Sequence, residues 1–213
     1  MNRKEEIGDW DAYFMSLVYA AATRSKDEST NIGAIIVNPS NCVVATGYNS
    51  FPRGIKDDIP ERQQRPGKYY YFAHAERNAI YSAALQGISL KGCRMYTNGL
   101  PCSDCGIAII QSGVVEVITH KDWEGLQFAQ TEQWKESCQA TYEMFAEANV
   151  TYRQWNGQLT VIPIVPIRLR GKQILFSSTG VLLGAPAQAT RDVFKADGSL
   201  SHTKNTSVGF NLV

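Results

Sequence analysis

The fold is decided by two short stretches of the sequence, Phe72-Ala73-His74-Ala75-Glu76-Arg77-Asn78-Ala79-Ile80 and Pro101-Cys102-Ser103-Asp104-Cys105. Cys102 and Cys105 are spaced to face one side of a helix, and the proline before them suits a helix start. His74 and Glu76 would lie about 200° apart around a helix. They can share a site only over its N-terminal end, so the sequence predicts two helix N-termini facing one site.

The residue types in these stretches indicate zinc chemistry. His74, Cys102 and Cys105 supply nitrogen and sulfur ligands, and three protein ligands leave a fourth position for water, whose pKa falls to about 7. Glu76 is then free to carry protons as the catalytic acid and base. A lone C-x-x-C is also typical of a redox pair or of half a structural zinc site. A closed structural site would need a fourth ligand, and the remaining cysteines and histidines lack ligand-like spacing.

The order H-x-E, then P-C-x-x-C, is that of the zinc deaminases. It predicts hydrolytic removal of an exocyclic amine, in which a zinc-bound hydroxide attacks the ring carbon (C4 of cytosine) and Glu76 shuttles protons.

Composition bounds the remaining function classes. The chain has 213 residues and a net charge of +1, which gives no electrostatic footprint for long nucleic acid. The sequence shows no signal peptide and no apolar run long enough to span a membrane. Five cysteines, an odd number, argue against a disulfide framework and favour a reducing, cytoplasmic location.

Hydrophobic periodicity predicts alternating helices and strands over the first 155 residues. Two crossovers through helices would make the last strands parallel, in a mixed five-stranded sheet with helices on both faces. The segment 47–68 is rich in Gly, Pro and charge, and a long loop just before His74 is predicted to serve substrate or effector binding. The predicted helices are 9–24, 73–85, 102–111 and 131–148; the predicted strands are 33–37, 42–46, 93–97, 114–119 and 150–155.

The character of the chain changes at residue 156, so we divide it into a deaminase domain, 1–155, and a C-terminal, β-rich extension, 156–213. Residues 161–167 alternate proline with β-branched residues, which excludes a central strand. A turn at 170–172 leads into a predicted strand at 173–176. We expect an edge hairpin or oligomerisation arm, followed from residue 180 by a loosely ordered tail with a weak strand signal at 208–213.

Beyond the zinc motif, further segments resemble, in order, the deoxycytidylate (dCMP) deaminase group of the cytidine deaminase superfamily. The resemblance covers roughly residues 8–155. It implies a three-layer α/β/α sandwich around a five-stranded sheet, conversion of dCMP and water to dUMP and ammonia for thymidylate synthesis, and a homo-oligomer such as a hexamer. The segments are Phe14-Met15, Arg24-Ser25-Lys26-Asp27, Gly33-Ala34-Ile35-Ile36-Val37, Gly47-Tyr48-Asn49, Pro52-Arg53-Gly54 and Ile109-Ile110-Gln111-Ser112-Gly113.

The resemblance also implies substrate-binding residues. Arg24, Lys26 and Asn31 match the stretch near the 5′ phosphate, where cations and amide donors suit a dianion. Alternatively, Arg24 and Lys26 only follow a helix C-terminus, where cations are favoured anyway. Asn49 is expected to line the nucleotide pocket.

Two positions depart from the group's pattern. Ser50 stands where many members have Gly, and Ile55 where a Cys is common in part of the family. Some members use this loop for activation by dCTP and inhibition by dTTP. The resemblance therefore implies dCTP and dTTP as candidate effectors of this protein.

Two alternatives remain open at the level of sequence. The first keeps the chemistry with another cytosine substrate: dCTP, free cytidine or deoxycytidine, or a base in tRNA or single-stranded DNA. A polymer substrate would favour a basic, aromatic-lined groove, which the net charge of +1 does not indicate. The second is a non-catalytic relative that binds zinc or nucleotide, and the presence of Glu76, which no metal site needs as a ligand, argues against it.

Overall fold

Strand β1 (Gly33–Val37) is the centre of the fold, because all five of its residues are buried and it pairs with a strand on each side. The computed structural model describes residues 9–123, 132–160, 167–169, 171–176 and 182–184. The helices are α1 (Trp10–Ala22), α2 (Ala75–Leu85), α3 (Ser103–Ser112) and α4 (Glu132–Glu147), with short 3-10 helices at Pro60–Gln63 and Gly67–Tyr70. The other strands are β2 (Val43–Tyr48), β3 (Arg94–Thr97), β4 (Glu116–His120), β5 (Thr151–Trp155), β6 (Ile167–Leu169), β7 (Lys172–Phe176) and β8 (Leu182–Gly184).

The main sheet has the strand order β2-β1-β3-β4-β5. β1 is antiparallel to both β2 and β3, whereas β3, β4 and β5 run parallel. The parallel pairs follow from the crossovers through α3 and α4, since a parallel connection needs a long excursion over the sheet. The predicted mixed five-stranded sheet is confirmed, and the element ends up to residue 155 differ from the predicted ones by at most two residues.

Alternation along β1 divides the core into two layers. Ile35 and Val37 pack with the buried face of α1, whereas Ala34 and Ile36 pack with α2, α3 and α4 on the opposite face. Successive side chains of a strand point to opposite faces, so five buried residues in a row predict a sheet covered on both sides. The arrangement is the expected α/β/α sandwich.

The C-terminal segment forms a second, three-stranded sheet in the order β6-β7-β8. β6 and β7 are antiparallel and joined through Gly171, whose φ of 77° favours glycine. Ile167, Leu169 and Ile174 are buried in the same hydrophobic cluster as α1. Within the tail predicted from residue 180 the structure describes strand β8, which the sequence did not predict; the strand signal predicted at 208–213 lies outside the described residues. Within the described residues, no helix is long and apolar enough to cross a lipid bilayer.

Candidate active site

Two helix N-termini meet at the site, as the spacing of the motif predicts. His74 is the N-cap of α2, Cys102 is the N-cap of α3, and both have extended backbones. Neither side chain caps its own helix, so both remain free to point into the site. Glu76 and Cys105 follow within the first turns, which brings all four functional groups over the helix ends.

The spacing of the donor atoms fits a zinc ion. His74 Nδ1 lies 3.3 Å from Cys102 Sγ and 3.5 Å from Cys105 Sγ, and the three ligand atoms lie within 4.8 Å of one another. Tetrahedral zinc, with bonds of about 2.3 Å to sulfur and 2.0–2.1 Å to nitrogen, separates such atoms by about 3.6 Å. The described residues contain no other His, Cys, Asp and Glu group of this kind.

The electrostatics suit a cation held beside a proton carrier. A hydrogen bond from the Cys105 thiol, with a further contribution from His74, lowers the pKa of Cys102 and favours its thiolate. Glu76 is 4% exposed, and burial raises the pKa of its carboxyl group. Its Oε2 atom lies 3.7 Å from Cys105 Sγ, which places the carboxylate beside the donor set.

Contacts with strand β2 fix the start of α2. A Cβ atom at Gly47 would lie 2.9 Å from Ala79 Cα and closer still to backbone atoms of α2, so the helix approaches the strand more closely than a side chain allows. Asn78 Nδ2 also donates to the backbone oxygen of Tyr48 at 2.8 Å. Short-range packing against β2 thereby positions His74 and Glu76.

A cavity of about 550 Å³ is lined by His74 and Glu76 at one end of the candidate metal site. Its volume lies within the range usual for small-molecule sites. Both polar and apolar side chains line it, as a nucleotide with a base, a sugar and a phosphate requires. Besides His74 and Glu76, the residues that line the cavity include Asp27, Thr30, Ile32, Asn49, Arg65, Lys68, Tyr69, Phe72, Arg77, Leu100, Trp134 and Leu169.

Asn49, which the resemblance implies for the nucleotide pocket, is among the residues that line the cavity, but its amide group makes hydrogen bonds within the protein. Its Oδ1 accepts hydrogen bonds from Ile32 N at 2.8 Å and Ser25 Oγ at 2.7 Å, and its Nδ2 donates to Thr30 O at 2.7 Å. Asn49 therefore shapes the cavity wall.

Arg24, Lys26 and Asn31, which the resemblance assigns to the phosphate, are not among the residues that line this cavity. Arg24 is exposed, and Lys26 forms an exposed ion pair with Asp57. Asn31 is buried, and its Oδ1 accepts a hydrogen bond from Arg168 N at 2.7 Å.

Three other cations, which the sequence interpretation missed as phosphate-binding candidates, line the cavity: Arg65, Lys68 and Arg77. Lys68 forms a buried ion pair with Asp27 at 2.7 Å, so its charge is compensated. Within the described residues, neither Arg65 nor Arg77 forms a salt bridge, and Arg77 Nε is buried without a hydrogen-bond partner. Arg77 directly follows Glu76 and Arg65 lies in the charged segment before His74, so their proximity to the motif was the available signal.

Comparison with known proteins identifies the family. The family model for the cytidine and deoxycytidylate deaminase zinc-binding region matches residues 8–121. Deoxycytidylate deaminase of Mus musculus is 36% identical over 167 residues, which cover 76% of this chain and 88% of the relative. Its Homo sapiens counterpart is 36% identical over 160 residues, covering 72% and 83%.

A solved structure shares the fold. The crystal structure of dCMP deaminase from the cyanophage S-TIM5, in complex with dCMP and dUMP, superposes with a TM-score of 0.52 at 22% identity, covering 67% of this chain and 93% of that one. The sheet order, the candidate metal site at the helix ends and the sequence relatives all indicate the same family. The chain belongs to the cytidine and deoxycytidylate deaminase family.

Proposed function

We propose that this protein is a zinc-dependent dCMP deaminase, which converts dCMP and water to dUMP and ammonia. One observation carries the proposal: the donor set of His74, Cys102 and Cys105 stands beside the buried Glu76. The cavity that His74 and Glu76 line also contains Arg65 and Arg77, which form no salt bridge among the described residues. The 36% identity to curated deoxycytidylate deaminases, over 88% of the length of one of them, supports the same substrate.

Each catalytic residue has a defined task in this proposal. His74, Cys102 and Cys105 would hold the zinc, which when bound would supply a coordination position where water is activated at neutral pH. Glu76 would accept one proton of the attacking water and pass it to N3 of the ring, and would then pass the proton of the hydroxyl group added at C4 to the departing amine. Water thereby adds at C4 and ammonia leaves. Trp134, whose ring centroid lies 6.5 Å from that of His74, offers an apolar face to the base.

Arg65 and Arg77 are the proposed phosphate-binding cations. Both line the cavity, and a guanidinium group can bind a phosphate through two parallel hydrogen bonds. We expect Arg65→Gln and Arg77→Gln to raise KM for dCMP and to leave KM for deoxycytidine, which has no phosphate, nearly unchanged. Zinc content would be measured on both variants because Arg77 adjoins the metal site.

Lys26→Gln and Arg24→Gln are the matched controls for this assignment, since they lie outside the cavity lining. If KM for dCMP rose selectively in these two controls and not in the cavity variants, the phosphate would instead be bound by the stretch that the resemblance implies, which contains Arg24 and Lys26.

The substrate is tested by ammonia release from dCMP, dCTP, deoxycytidine and a short single-stranded DNA, assayed in parallel with zinc content. We expect dCMP to be the preferred substrate. Preferred turnover of dCTP, deoxycytidine or the oligonucleotide would identify a different cytosine deaminase. Zinc present at one ion per chain with no turnover of any of the four would overturn the proposal.

We also propose a homo-oligomer in the cytoplasm. Tyr81, Leu85 and Ile107 are at least half exposed on α2 and α3, and all five cysteines are free thiols, which suits a reducing compartment. Light scattering would give the number of subunits. Kinetics with dCTP and dTTP would test whether they act as effectors through the loop that contains Ser50 and Ile55.

A further inference from the structure

The C-terminal hairpin, which we define as β6 and β7 with the turn between them, is hydrogen-bonded to the deaminase domain beside the cavity. Asn31 N donates to Arg168 O at 2.7 Å, and Asn31 Oδ1 accepts from Arg168 N at 2.7 Å. Gly171 N donates to Ser29 O at 2.6 Å. These three bonds attach both the strand and the turn of the hairpin to the segment 29–31.

Asn31 is well suited to hold this contact. Its backbone amide and its side-chain oxygen both bind Arg168, as a neighbouring strand would. Its Nδ2 donates to Asp27 O at 2.9 Å, and its own carbonyl accepts from Asn98 Nδ2 at 3.2 Å. Asn31 is thus fixed from both sides, which fixes the position of the hairpin.

The hairpin turns one face inward. Ile167 and Leu169 are 1% and 7% exposed, whereas Arg168 between them is exposed. Ile174, directly opposite Ile167 on the neighbouring strand, is 3% exposed. All three apolar side chains belong to the cluster around α1, but of them only Leu169 also lines the cavity.

We propose that the hairpin is a wall of the active site and that Leu169 is a substrate-binding residue. Asn31 is a positioning residue that acts through the hairpin. The inference rests on the proposed function, since it assigns Leu169 to the nucleotide cavity. Leu169 and Ile32, from separate parts of the chain, present apolar surface there, so substrate binding depends on residues outside the segment that carries the zinc motif.

The test compares Leu169→Ala with Ile167→Ala. Both changes remove the same buried apolar bulk from the same face of one strand, but only Leu169 lines the cavity. We expect Leu169→Ala to raise KM for dCMP about tenfold, because removing methylene-sized contacts from a pocket weakens substrate binding by roughly 10- to 200-fold. It should leave kcat and zinc content nearly unchanged. Ile167→Ala should lower the unfolding temperature without changing KM.

Further variants keep the test decisive if Leu169→Ala does not fold. Leu169→Val, a smaller truncation, should raise KM in the same direction. Asn31→Ala should raise KM also, and its effect should be less than additive with that of Leu169→Ala, because both act on one wall. Calorimetric binding of dUMP would report the same loss of affinity independently of turnover.

The outcomes separate this inference from the proposed function. Wild-type protein that turns over dCMP, with equal KM and equal dUMP affinity in the Leu169 variants and in Ile167→Ala, would overturn the inference alone. Wild-type protein that carries zinc but neither turns over dCMP nor binds dUMP would overturn the proposed function itself.

Discussion

Replacing Gly47 by alanine would displace the helix that carries the catalytic groups. The added Cβ atom would lie 2.9 Å from Ala79 Cα, and closer to the oxygen of Ala75. Carbon atoms are in favourable contact at about 3.5–4.0 Å, so α2 must move away from β2 by roughly 1 Å. Backbone atoms form the obstruction, and no side-chain rotation can relieve it.

The displacement should reduce both stability and activity. Overpacking of this kind typically costs about 1–3 kcal/mol, and a shift of about 1 Å in reacting groups can lower the rate roughly 100-fold. His74 and Glu76 move with α2, whereas Cys102 and Cys105 belong to α3. We therefore expect Gly47→Ala to bind zinc more weakly as well, because the ligands no longer match one tetrahedron.

The measurements are the free energy of unfolding in urea, zinc retention after dialysis against a chelator, and kcat/KM for dCMP. Gly67→Ala is the control, since its added Cβ atom would meet nothing closer than Glu61 O at 3.6 Å. If Gly47→Ala matched the control in stability, zinc retention and activity, the argument that close packing on β2 positions the site would be refuted.

Four further predictions concern charge, protonation, catalysis and metal binding. Lys68→Met should lower the free energy of unfolding by about 3 kcal/mol in urea denaturation, because it leaves buried Asp27 without its cation; the double variant with Asp27→Asn should lose less, and equal losses would count against the pairing. Burial lowers the pKa of His120 to about 4, so the folded state favours the neutral imidazole. The free energy of unfolding should therefore fall by roughly 3 kcal/mol as the pH is lowered from 6.5 towards 4, because the unfolded state takes up a proton first. His120→Phe should lack that part of the pH dependence, and an unchanged pH profile would exclude His120 as its source. Glu76→Gln should keep its zinc and lose about 10²- to 10⁴-fold in kcat, whereas Cys102→Ala should lose zinc on dialysis; near-normal turnover by the first or stoichiometric zinc in the second would contradict the assigned roles.

The metal site could be predicted from the sequence because its determinants are local. The spacing of His74 and Glu76 requires a helix end, and Pro101 before Cys102 indicates a second one. The sheet could also be predicted from the sequence, because the apolar run of β1 and two helical crossovers allow few topologies.

The rest of the cavity depends on contacts between distant parts of the chain. Leu169 lines it from the C-terminal hairpin, which is hydrogen-bonded to Asn31, and Trp134 lines it from α4. Hydrophobic periodicity along the sequence predicts helices and strands but not contacts between such distant segments. The resemblance implies a phosphate contact near Lys26, which stays a prediction. The sequence does not show that Lys26 pairs with Asp57, or that Lys26 lies outside the lining of this cavity.

The proposed function requires that this chain deaminates dCMP through zinc held by His74, Cys102 and Cys105. The most direct test measures dUMP formation and zinc content on one sample, as purified, after removal of metal by a chelator, and after zinc is restored. We predict that dUMP and ammonia appear in equal amounts and that the rate follows zinc occupancy up to one ion per chain. Undiminished dUMP formation by metal-free protein, or no dUMP from fully zinc-loaded protein, would contradict the claim.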